Sequence, residues 1–460
     1  MATSEIDGTF TFTNGHANPT HSGGGERGFP EQIAQWARDA GIQIDDEPSL
    51  VDVVRAREQG ASFREAAVMF SLGLEYFEEL GHNLYRRSLL GPNNAQAHVH
   101  YPREDSTREM IMLASNNYLG LTTHPQVVEA SCAAAKKYGT GTASSPLLVG
   151  SFPTTTELER NLADFKSMEE ACLFSQGFAA NIGVISAVCS RNDLVVLDRL
   201  AHASILDGAK ISGAAVRVFR HNDVAHLDKV LSRHQELTTK LVAVEGIYSM
   251  DGDMAPLDRI LEVVRKHDAI LLVDDAHSTG ILGPEGRGAV AHFGLQGEVD
   301  LIVGTLSKSL AACGGFVAGP TPLVTYIRYM ARANMFSAGI SPMVAAAANA
   351  ALNVIRAEPQ LRERLWDNCR FMFEALKRKG FRVGEAASPV IPIIVGSMSA
   401  LREMTLELHR NNVCVNSVPY PAVARGSERL RISLMATHTT DQLEEALDRI
   451  EQAGKAAGVI

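Results

Sequence analysis

Short apolar runs recur through the middle of the chain, and each is followed by a polar loop or a segment of helical length. Runs of Val, Ile and Leu without alternation are typical of strands buried on both faces of a mostly parallel sheet. The pattern therefore predicts an α/β large domain. Its seven predicted strands lie in CLFSQG, DLVVLD, VRVFRH, KLVAVEGIYS, AILLVDDAHS, DLIVGTLSKS and GGFVAG.

The N-terminal part of the chain has a different pattern. Residues 1–28 are rich in Gly, Ser, Thr and Asn, which predicts a flexible tail, and residues 29–112 are predicted to be a helical extension and linker. The extension ends in the turn-rich block LLGPNNAQAHVHYPREDST. The residues expected to share one helical face are Phe63, Ala66, Ala67, Phe70 and Leu74.

The large domain is predicted to span residues 113–340, and a smaller α+β domain is predicted over residues 341–460. The Ala-rich segment after Ser341 predicts a long helix with Pro342 in its first turn. The strands expected in the small domain are PVIPIIVG, VCVNSV and RLRISLMA, and TTDQLEEALDRIEQAG is expected to close it as a capped helix.

Composition narrows the choice of partners. The 460 residues carry a formal net charge of -10 without any basic stripe, which argues against a nucleic-acid partner. No stretch approaches the roughly 18 apolar residues of a membrane span, and the first residues do not resemble a secretory signal. The six cysteines show no CxxC spacing, so we expect reduced thiols, no metal site and a cytoplasmic protein.

The strongest chemical signal joins two neighbouring strand ends. Asp274 ends an apolar strand, and Lys308 follows the next strand in the polar loop GTLSKSL. An acidic residue alone is often a helix cap, and a lone lysine is usually a surface charge. Together they match an enzyme that binds pyridoxal phosphate, because the lysine amine forms an imine and the carboxylate keeps the ring nitrogen protonated.

The phosphate of such a cofactor needs hydrogen-bond donors. Gly177 stands at a turn before an apolar segment, so the backbone N–H groups of Gly177 and Phe178 are expected at a helix N-terminus. A glycine before a helix is by itself more often only a turn. Thr305 and Ser307, in the lysine loop, add two hydroxyl groups.

Three more polar residues follow predicted strands. His202 comes after DLVVLD and is a candidate to stack on the cofactor ring, although a lone histidine is more often structural. Glu245 and Ser249, in EGIYSMDGD, are expected to line the same cleft.

The motifs SNNYLGL, SQGFAAN, DRLAHAS, EGIYSMDGD, VDDAHSTG, GTLSKSL and RLRISLMATHT occur in the order found in the α-oxoamine synthase family. The sequence resembles that family from about Leu113 to the C-terminus, and within it is most similar to the bacterial serine palmitoyltransferases. The resemblance implies a fold-type I pyridoxal-phosphate transferase with a mostly parallel seven-stranded large-domain sheet.

The resemblance also implies roles at matching positions. Lys308 would carry the cofactor, Asp274 would pair with the ring nitrogen, His277 would contact the ring hydroxyl, and His202 would stack on the ring. Arg431 matches the arginine that holds the amino-acid carboxylate, and Asn117 is assigned to substrate binding. Ser337 matches a residue that reaches the phosphate of a neighbouring subunit, which implies a homodimer with its active sites at the interface.

The implied reaction is the decarboxylative condensation of a small amino acid (serine, alanine or glycine) with an acyl thioester. Lys308 would take the Cα proton, the thiol would leave, and loss of carbon dioxide would give an α-amino ketone. An aminotransferase or lyase on the same fold is the alternative. A non-catalytic paralogue is disfavoured because Lys308, Asp274 and His202 are all present.

The sequence departs from the family pattern where substrates are handled. Pro146 replaces an arginine, Pro153 and Thr155 stand where serine palmitoyltransferases carry histidines, and Pro419 replaces another arginine. These changes leave open the amino acid, the acyl chain and its delivery by coenzyme A or by an acyl-carrier protein. The N-terminal extension is interpreted as a helical arm on the dimer or over the cleft, with carrier-protein docking as the alternative.

Overall fold

The computed structural model describes residues 50–79, 84–101, 105–385 and 388–460, together with Gln35. The chain divides into two compact units, Met1–Tyr85 and Arg86–Ile460. The predicted flexible tail of residues 1–28 lies outside the described residues. The domain boundaries stay predictions.

The first unit contains two described helices, α1 (Leu50–Glu58) and α2 (Phe63–Glu79). Val53 and Ala66 are buried between them. The predicted apolar face of α2 is wrong in part, because the side chains of Phe63 and Phe70 are 71% and 37% exposed. Apolar residues lie on more than one side of α2, and the buried side is completed by Met69, Leu72, Tyr76 and Phe77.

The second unit begins with a small sheet that the sequence analysis did not predict. Its strands are β1 (Ser88–Leu89), β2 (Gln96–Tyr101), β3 (Ser106–Met112) and, from much later in the chain, β12 (Val413–Cys414). β2 pairs antiparallel with β3, and β12 pairs parallel with β3. The sheet therefore ties the predicted linker to the C-terminal part of the chain.

All seven strands predicted for the large domain are present in one sheet, in the order β4-β10-β9-β8-β7-β5-β6. β10 runs antiparallel to both of its neighbours, and the other pairs are parallel. The mostly parallel sheet is thus confirmed. Its strands are β4 (Glu170–Phe174), β5 (Leu194–Asp198), β6 (Ala215–Phe219), β7 (Lys240–Glu245), β8 (Ile270–Asp274), β9 (Leu301–Thr305) and β10 (Gly315–Gly319).

Helices cover both faces of this sheet, so alternate residues of one strand belong to different cores. In β5, Leu194 and Val196 join one buried cluster, while Val195 and Leu197 join the other. This arrangement explains the unbroken apolar runs. The helices are α3 (Pro125–Tyr138), α4 (Pro153–Lys166), α5 (Gly177–Val188), α6 (Ala203–Ser212), α7 (Val224–Ser232), α8 (Leu257–Lys266), α9 (Ala289–His292), α10 (Thr321–Met330) and α11 (Arg332–Met335).

The predicted C-terminal elements are present with one correction: the strand predicted over VCVNSV divides at Val415 into β12, which joins the first small sheet, and Asn416–Val418, which joins the last one. Pro342 opens α12 (Pro342–Ala357), which packs against α3 and α4. A three-stranded antiparallel sheet has the order β11-β14-β13. Thr439 caps the last helix in a capping box with Gln442. The remaining elements are α13 (Pro359–Arg378), β11 (Val390–Ile394), α14 (Met398–Arg410), β13 (Asn416–Val418), β14 (Arg429–Ser433) and α15 (Thr440–Ala456).

Two further observations concern the whole described chain. None of its helices combines the length and the apolar character that crossing a membrane requires. The six cysteines, all of which lie within the described residues, form no disulfide.

Candidate active site

A cavity of about 430 Å³ opens at the carboxyl edge of β7, β8 and β9. Ligands bind at this edge of parallel α/β sheets, because the loops that follow the strands converge there. The structure brings nine predicted residues together around it: Gly177, Phe178, His202, Glu245, Asp274, His277, Thr305, Ser307 and Lys308.

Lys308 lies in the loop after β9, within the cavity wall. Burial lowers the pKa of its amine to about 8, and the charge of Arg431 acts in the same direction. The carboxylates of Asp274 and Glu245 oppose this shift. A lysine with this pKa is partly unprotonated near neutral pH, so it can attack an aldehyde carbon or accept a proton.

Asp274 is the last residue of β8 and is buried. The side-chain nitrogen of Asn181 donates to Asp274 Oδ2 at 2.7 Å, and the backbone N–H of Ala276 donates to Oδ1 at 3.0 Å. These two donors fix the orientation of the carboxylate. The adjacent Asp275 instead forms a buried ion pair with Lys166, at 2.5 Å between Oδ2 and Nζ.

Glu245 lies beside Asp274, since the two residues are paired across β7 and β8. Burial raises the pKa of Glu245 to about 8, and the neighbouring charge of Asp274 adds to the shift. Its Oε2 accepts from the backbone N–H of Ser249 at 3.2 Å. Its Oε1 has no hydrogen-bond partner among the described residues.

The two predicted histidines are held by different groups. His202 lies at the N-terminus of α6, where its Nδ1 accepts from the backbone N–H of Ser204 at 3.2 Å. Tyr118, which is fully buried, places its hydroxyl oxygen 2.7 Å from His277 Nδ1. Burial lowers the pKa of both histidines, that of His277 far below its ordinary value. Both rings are therefore neutral near pH 7.

The donors expected for a phosphate lie at one end of the cavity. Helix α5 begins at Gly177, and the side chain of Gln176 does not cap it. A Cβ atom at Gly177 would lie 2.9 Å from Thr305 Cβ, so only glycine lets the helix start approach β9 this closely. The hydroxyl oxygens of Thr305 and Ser307 are 2.8 Å apart. Thr305 Oγ1 also donates to the carbonyl oxygen of Gly314 at 3.1 Å. Helix N–H groups with two neighbouring hydroxyls are groups that can bind an anion.

Arg431 lies on β14, is buried, and donates from Nε to the carbonyl oxygen of Ser249 at 2.6 Å. Its Nη2 donates to Asn116 Oδ1 at 3.3 Å. The predicted substrate residue Asn117 lies elsewhere, because its amide nitrogen donates to Thr122 Oγ1 and to the carbonyl oxygen of Asn93. The neighbouring Asn116, not Asn117, therefore contacts the arginine.

Ser337 is not part of this cavity wall. It lines a separate small cavity of about 60 Å³ together with Pro146 and Thr155, two positions where the sequence departs from the family pattern. Thr155 hydrogen-bonds to both backbone groups of Phe152 and so caps α4, which begins at Pro153. Pro419 is another position at which the sequence departs from the family pattern. Its carbonyl oxygen accepts from the backbone N–H of Ala422.

Sequence reasoning missed three residues of the site: Asn181, Ser204 and Tyr118. Asn181 had a detectable signal, because it is the one amide in the apolar helix GFAANIGVISAV. Ser204 follows His202 by two residues, the spacing of a local side-chain cap. Tyr118 gave no signal, since its partner His277 is 159 positions away in the sequence.

A charged cluster lies next to the site and fixes two of its loops. His221 Nδ1 lies 2.8 Å from Asp198 Oδ1, and His221 Nε2 lies 2.7 Å from Asp253 Oδ2. Burial alone would lower the pKa of His221, but the hydrogen bonds to the two carboxylates outweigh it and raise the pKa to about 10. The imidazolium thus links the loop that carries His202 to the loop that follows Glu245.

This cluster predicts a pH-dependent contribution to stability. A raised histidine pKa stabilises the fold fully below the unfolded value of about 6.5, and the contribution is lost as pH rises through about 10. Thermal unfolding should therefore show His221→Gln destabilised by on the order of 2 kcal/mol near pH 6.5, with the difference shrinking towards pH 10. His292→Gln, at an exposed histidine, serves as the control. If His221→Gln lowers the free energy of unfolding by the same amount across this pH range, the prediction is contradicted.

The cavity fits pyridoxal phosphate on several independent grounds. It supplies a lysine of lowered pKa for the aldehyde, a fixed carboxylate for the ring nitrogen, and an anion site for the phosphate. Two buried oxygen atoms of residues that line the cavity, Glu245 Oε1 and Asn181 Oδ1, have no partner in the described structure. Within the described ranges, no group of three or more His, Cys, Asp or Glu side chains is arranged to hold a metal ion.

Comparison with known proteins gives matches over most of the chain. Residues 108–450 match the family model for class I and II aminotransferases. The 8-amino-7-oxononanoate synthase 1 of Bacillus subtilis (strain 168) is 40% identical over 348 residues, 76% of this chain and 89% of that protein. The serine palmitoyltransferase of Sphingobacterium spiritivorum is 42% identical over 352 residues, 76% of this chain and 88% of that protein.

Solved structures are similar over a comparable length. A serine palmitoyltransferase with its PLP internal aldimine has a TM-score of 0.82 and 35% identity, covering 87% of this chain and 100% of that one. The Sphingomonas wittichii serine palmitoyltransferase has a TM-score of 0.80 and 35% identity, and the match covers 84% of this chain and 96% of that one. Fold and site define a pyridoxal-phosphate-dependent enzyme of fold type I. The chain belongs to the α-oxoamine synthase family, within the class I and II aminotransferases.

Proposed function

We propose that this enzyme condenses a small amino acid with an acyl thioester, releasing carbon dioxide and a free thiol and forming an α-amino ketone. The observation that carries the proposal is that Lys308 and Asp274 line one cavity. The buried Arg431 is not among the residues of the cavity wall, but it lies close enough for its charge to act on Lys308. The names of the relatives, oxononanoate synthase and serine palmitoyltransferase, favour this reaction over the aminotransferase or lyase alternative.

Pyridoxal phosphate, when bound, withdraws electrons from the Cα atom of an attached amino acid and so makes the Cα proton acidic. Asp274 would pair with the ring nitrogen and keep it protonated, and the donors from Asn181 and Ala276 fix the orientation of its carboxylate. His202 would pack on the ring and His277 would contact the ring hydroxyl. The phosphate would be held by Gly177, Phe178, Thr305 and Ser307.

Lys308 first binds the cofactor and then moves the Cα proton. Its amine has a pKa of about 8, close to neutral pH, as a general base requires. Arg431 binds the carboxylate of the amino acid, and its contacts with Ser249 and Asn116 fix the plane of its guanidinium group. Glu245 and Ser249 support this side of the cavity. No contact in the structure links Asn117 to this task, so its substrate role rests on the resemblance alone.

The enzyme acts as a homodimer in this proposal, with Ser337 of the partner subunit completing the phosphate site. The support is that Ser337 lies outside the cavity wall of its own chain. Serine, alanine and glycine are the candidate amino acids, and the acyl group arrives on coenzyme A or on an acyl-carrier protein. A cytoplasmic location and the arm or docking role of the N-terminal extension are part of the same proposal.

The test is an assay of thiol release. Purified enzyme is incubated with serine, alanine or glycine and a panel of acyl-coenzyme A and acyl-carrier-protein thioesters, and thiol and carbon dioxide are measured. We expect at least one pair to release both in equal amounts. If no pair releases thiol while a keto acid converts the cofactor to its amine form, the enzyme is an aminotransferase instead.

Arg431→Lys is expected to raise the KM for the amino acid by about 100-fold with a smaller change in kcat. A lysine keeps the charge but cannot make the two parallel hydrogen bonds of a guanidinium group to a carboxylate. Steady-state kinetics of thiol release at varied amino-acid concentration measure this. Arg429→Lys is the matched control on the same strand, because Arg429 bonds to Asp251 and Met250 instead. Equal effects of the two variants on KM would contradict the role of Arg431.

A further inference from the structure

A continuous chain of hydrogen bonds joins Asp274 to His202 through Asn181 and Ser204. The side-chain nitrogen of Asn181 donates to Asp274 Oδ2 at 2.7 Å and to Ser204 Oγ at 2.9 Å. Ser204 Oγ in turn lies 2.8 Å from His202 Nδ1. Because an amide nitrogen only donates, Ser204 accepts from Asn181, and its single hydroxyl proton is left for His202.

This direction of donation determines the tautomer of His202. Its Nδ1 accepts one hydrogen bond from the Ser204 hydroxyl and a second from the Ser204 backbone N–H, at 3.2 Å. A nitrogen that accepts from two donors carries no proton, so the proton of the neutral ring is on Nε2. His202 therefore brings a neutral hydrogen-bond donor to the cavity that it lines.

The two linking residues are rigidly held. Asn181 is 2% exposed and lies in α5, and Ser204 is 1% exposed and lies in α6. Both helices begin at the carboxyl edge of the sheet, the edge at which β8 ends in Asp274. A buried network carried by helices keeps its geometry better than one carried by loops.

We propose that Ser204 and Asn181 are positioning residues, which hold His202 as the neutral Nε2–H tautomer and tie its orientation to that of Asp274. The inference rests on the proposed function, in which His202 packs on the cofactor ring and Asp274 pairs with the nitrogen of that ring. The effect of each linking residue is thus exerted through another side chain.

Carbon-13 NMR of labelled histidine in the holoenzyme tests this directly, because the ring-carbon shifts report both tautomer and charge. The His202 signal is assigned by its absence from His202→Asn. In wild type we expect the neutral Nε2–H form at pH 7.5. In Ser204→Ala the neutral ring loses the hydroxyl that donates to its Nδ1. We therefore expect His202 to become protonated at a higher pH than in wild type, and part of the neutral population to be the Nδ1–H tautomer. Ser204→Thr restores the wild-type signal.

Ser212→Ala is the matched control, since Ser212 ends the same helix and bonds to the carbonyl oxygen of Ala209. It should leave the His202 signal unchanged. Asn181→Ala provides a second measurement that does not depend on Ser204→Ala folding. It removes the hydrogen bond that orients Asp274, so the affinity of the apoenzyme for pyridoxal phosphate should fall by about 10-fold.

An unchanged His202 signal in folded Ser204→Ala, or wild-type cofactor affinity in Asn181→Ala, would overturn the proposal. Neither the NMR signal nor the cofactor affinity depends on turnover. If no thiol is released but the His202 signal responds to Ser204→Ala as expected, only the proposed reaction is rejected. If the enzyme releases thiol but the His202 NMR signal is the same in Ser204→Ala as in wild type, only the positioning role of Ser204 is rejected.

Discussion

Lys308→Ala lowers the rate of thiol release by about 10⁴-fold or more, because one substitution removes both the covalent anchor and the proton acceptor. The burial that brings the pKa of this amine to about 8 makes it the one lysine of the cavity wall suited to both tasks. Thiol release under saturating substrates measures the loss, and the visible absorbance of the cofactor should change with it.

Two controls separate chemistry from folding in this variant. Lys308→Arg keeps a positive charge but cannot form the imine, so it should be as inactive as the alanine variant. A small amine such as methylamine, added to Lys308→Ala, should restore part of the proton transfer. If Lys308→Ala kept more than a tenth of wild-type activity, Lys308 could not have the role assigned to it.

Asp274→Asn is expected to lower kcat/KM by about 10³-fold, since a neutral amide cannot keep the ring nitrogen protonated. The size of the side chain is retained, and the amide oxygen can still accept from one of the two donors, Asn181 or the backbone N–H of Ala276. The loss should therefore appear mainly in the chemical step, with a smaller fall in the unfolding temperature than a broken buried ion pair would cause. Kinetics and thermal unfolding of the same preparation provide the comparison.

Asp275→Asn is the matched control, because it makes the same chemical change one residue later. Asp275 pairs with Lys166 in the buried interior, and breaking such a pair leaves an uncompensated charge that destabilises a fold by about 3–5 kcal/mol. This variant should unfold at a lower temperature while its folded fraction keeps the cofactor spectrum. The reverse pattern in the two variants would contradict the assignment of Asp274 to the ring nitrogen.

The sequence predicted the large sheet well because its strands are buried on both faces. Runs such as LVVLD and LIVGT are buried at every position, so they lack the helical spacing of polar residues that an amphipathic helix shows. Both runs end at the carboxyl edge of the sheet. The strand β2 was missed because QAHVHY alternates exposed and buried positions within a block of turn-forming residues. Its partner β3 pairs on the other side with β12, which follows β3 by about three hundred positions in the chain.

The candidate site was predictable where a residue acts alone at a strand end, as Asp274, Lys308 and Glu245 do. It was not predictable where the role depends on a partner from another element. Asn181 and Asp274 are 93 positions apart, and no local pattern indicates that they meet. Within the loop that holds Asn116 and Asn117, only the folded backbone decides which amide faces Arg431.

The most direct test of the central claim is reduction of the holoenzyme with borohydride, followed by peptide mass spectrometry. Borohydride converts an imine to a stable amine, so the cofactor should be found covalently attached to the peptide that contains Lys308, in wild type and not in Lys308→Ala. A protein that stays colourless and unmodified after incubation with excess pyridoxal phosphate, or one labelled at a different lysine, would contradict the account.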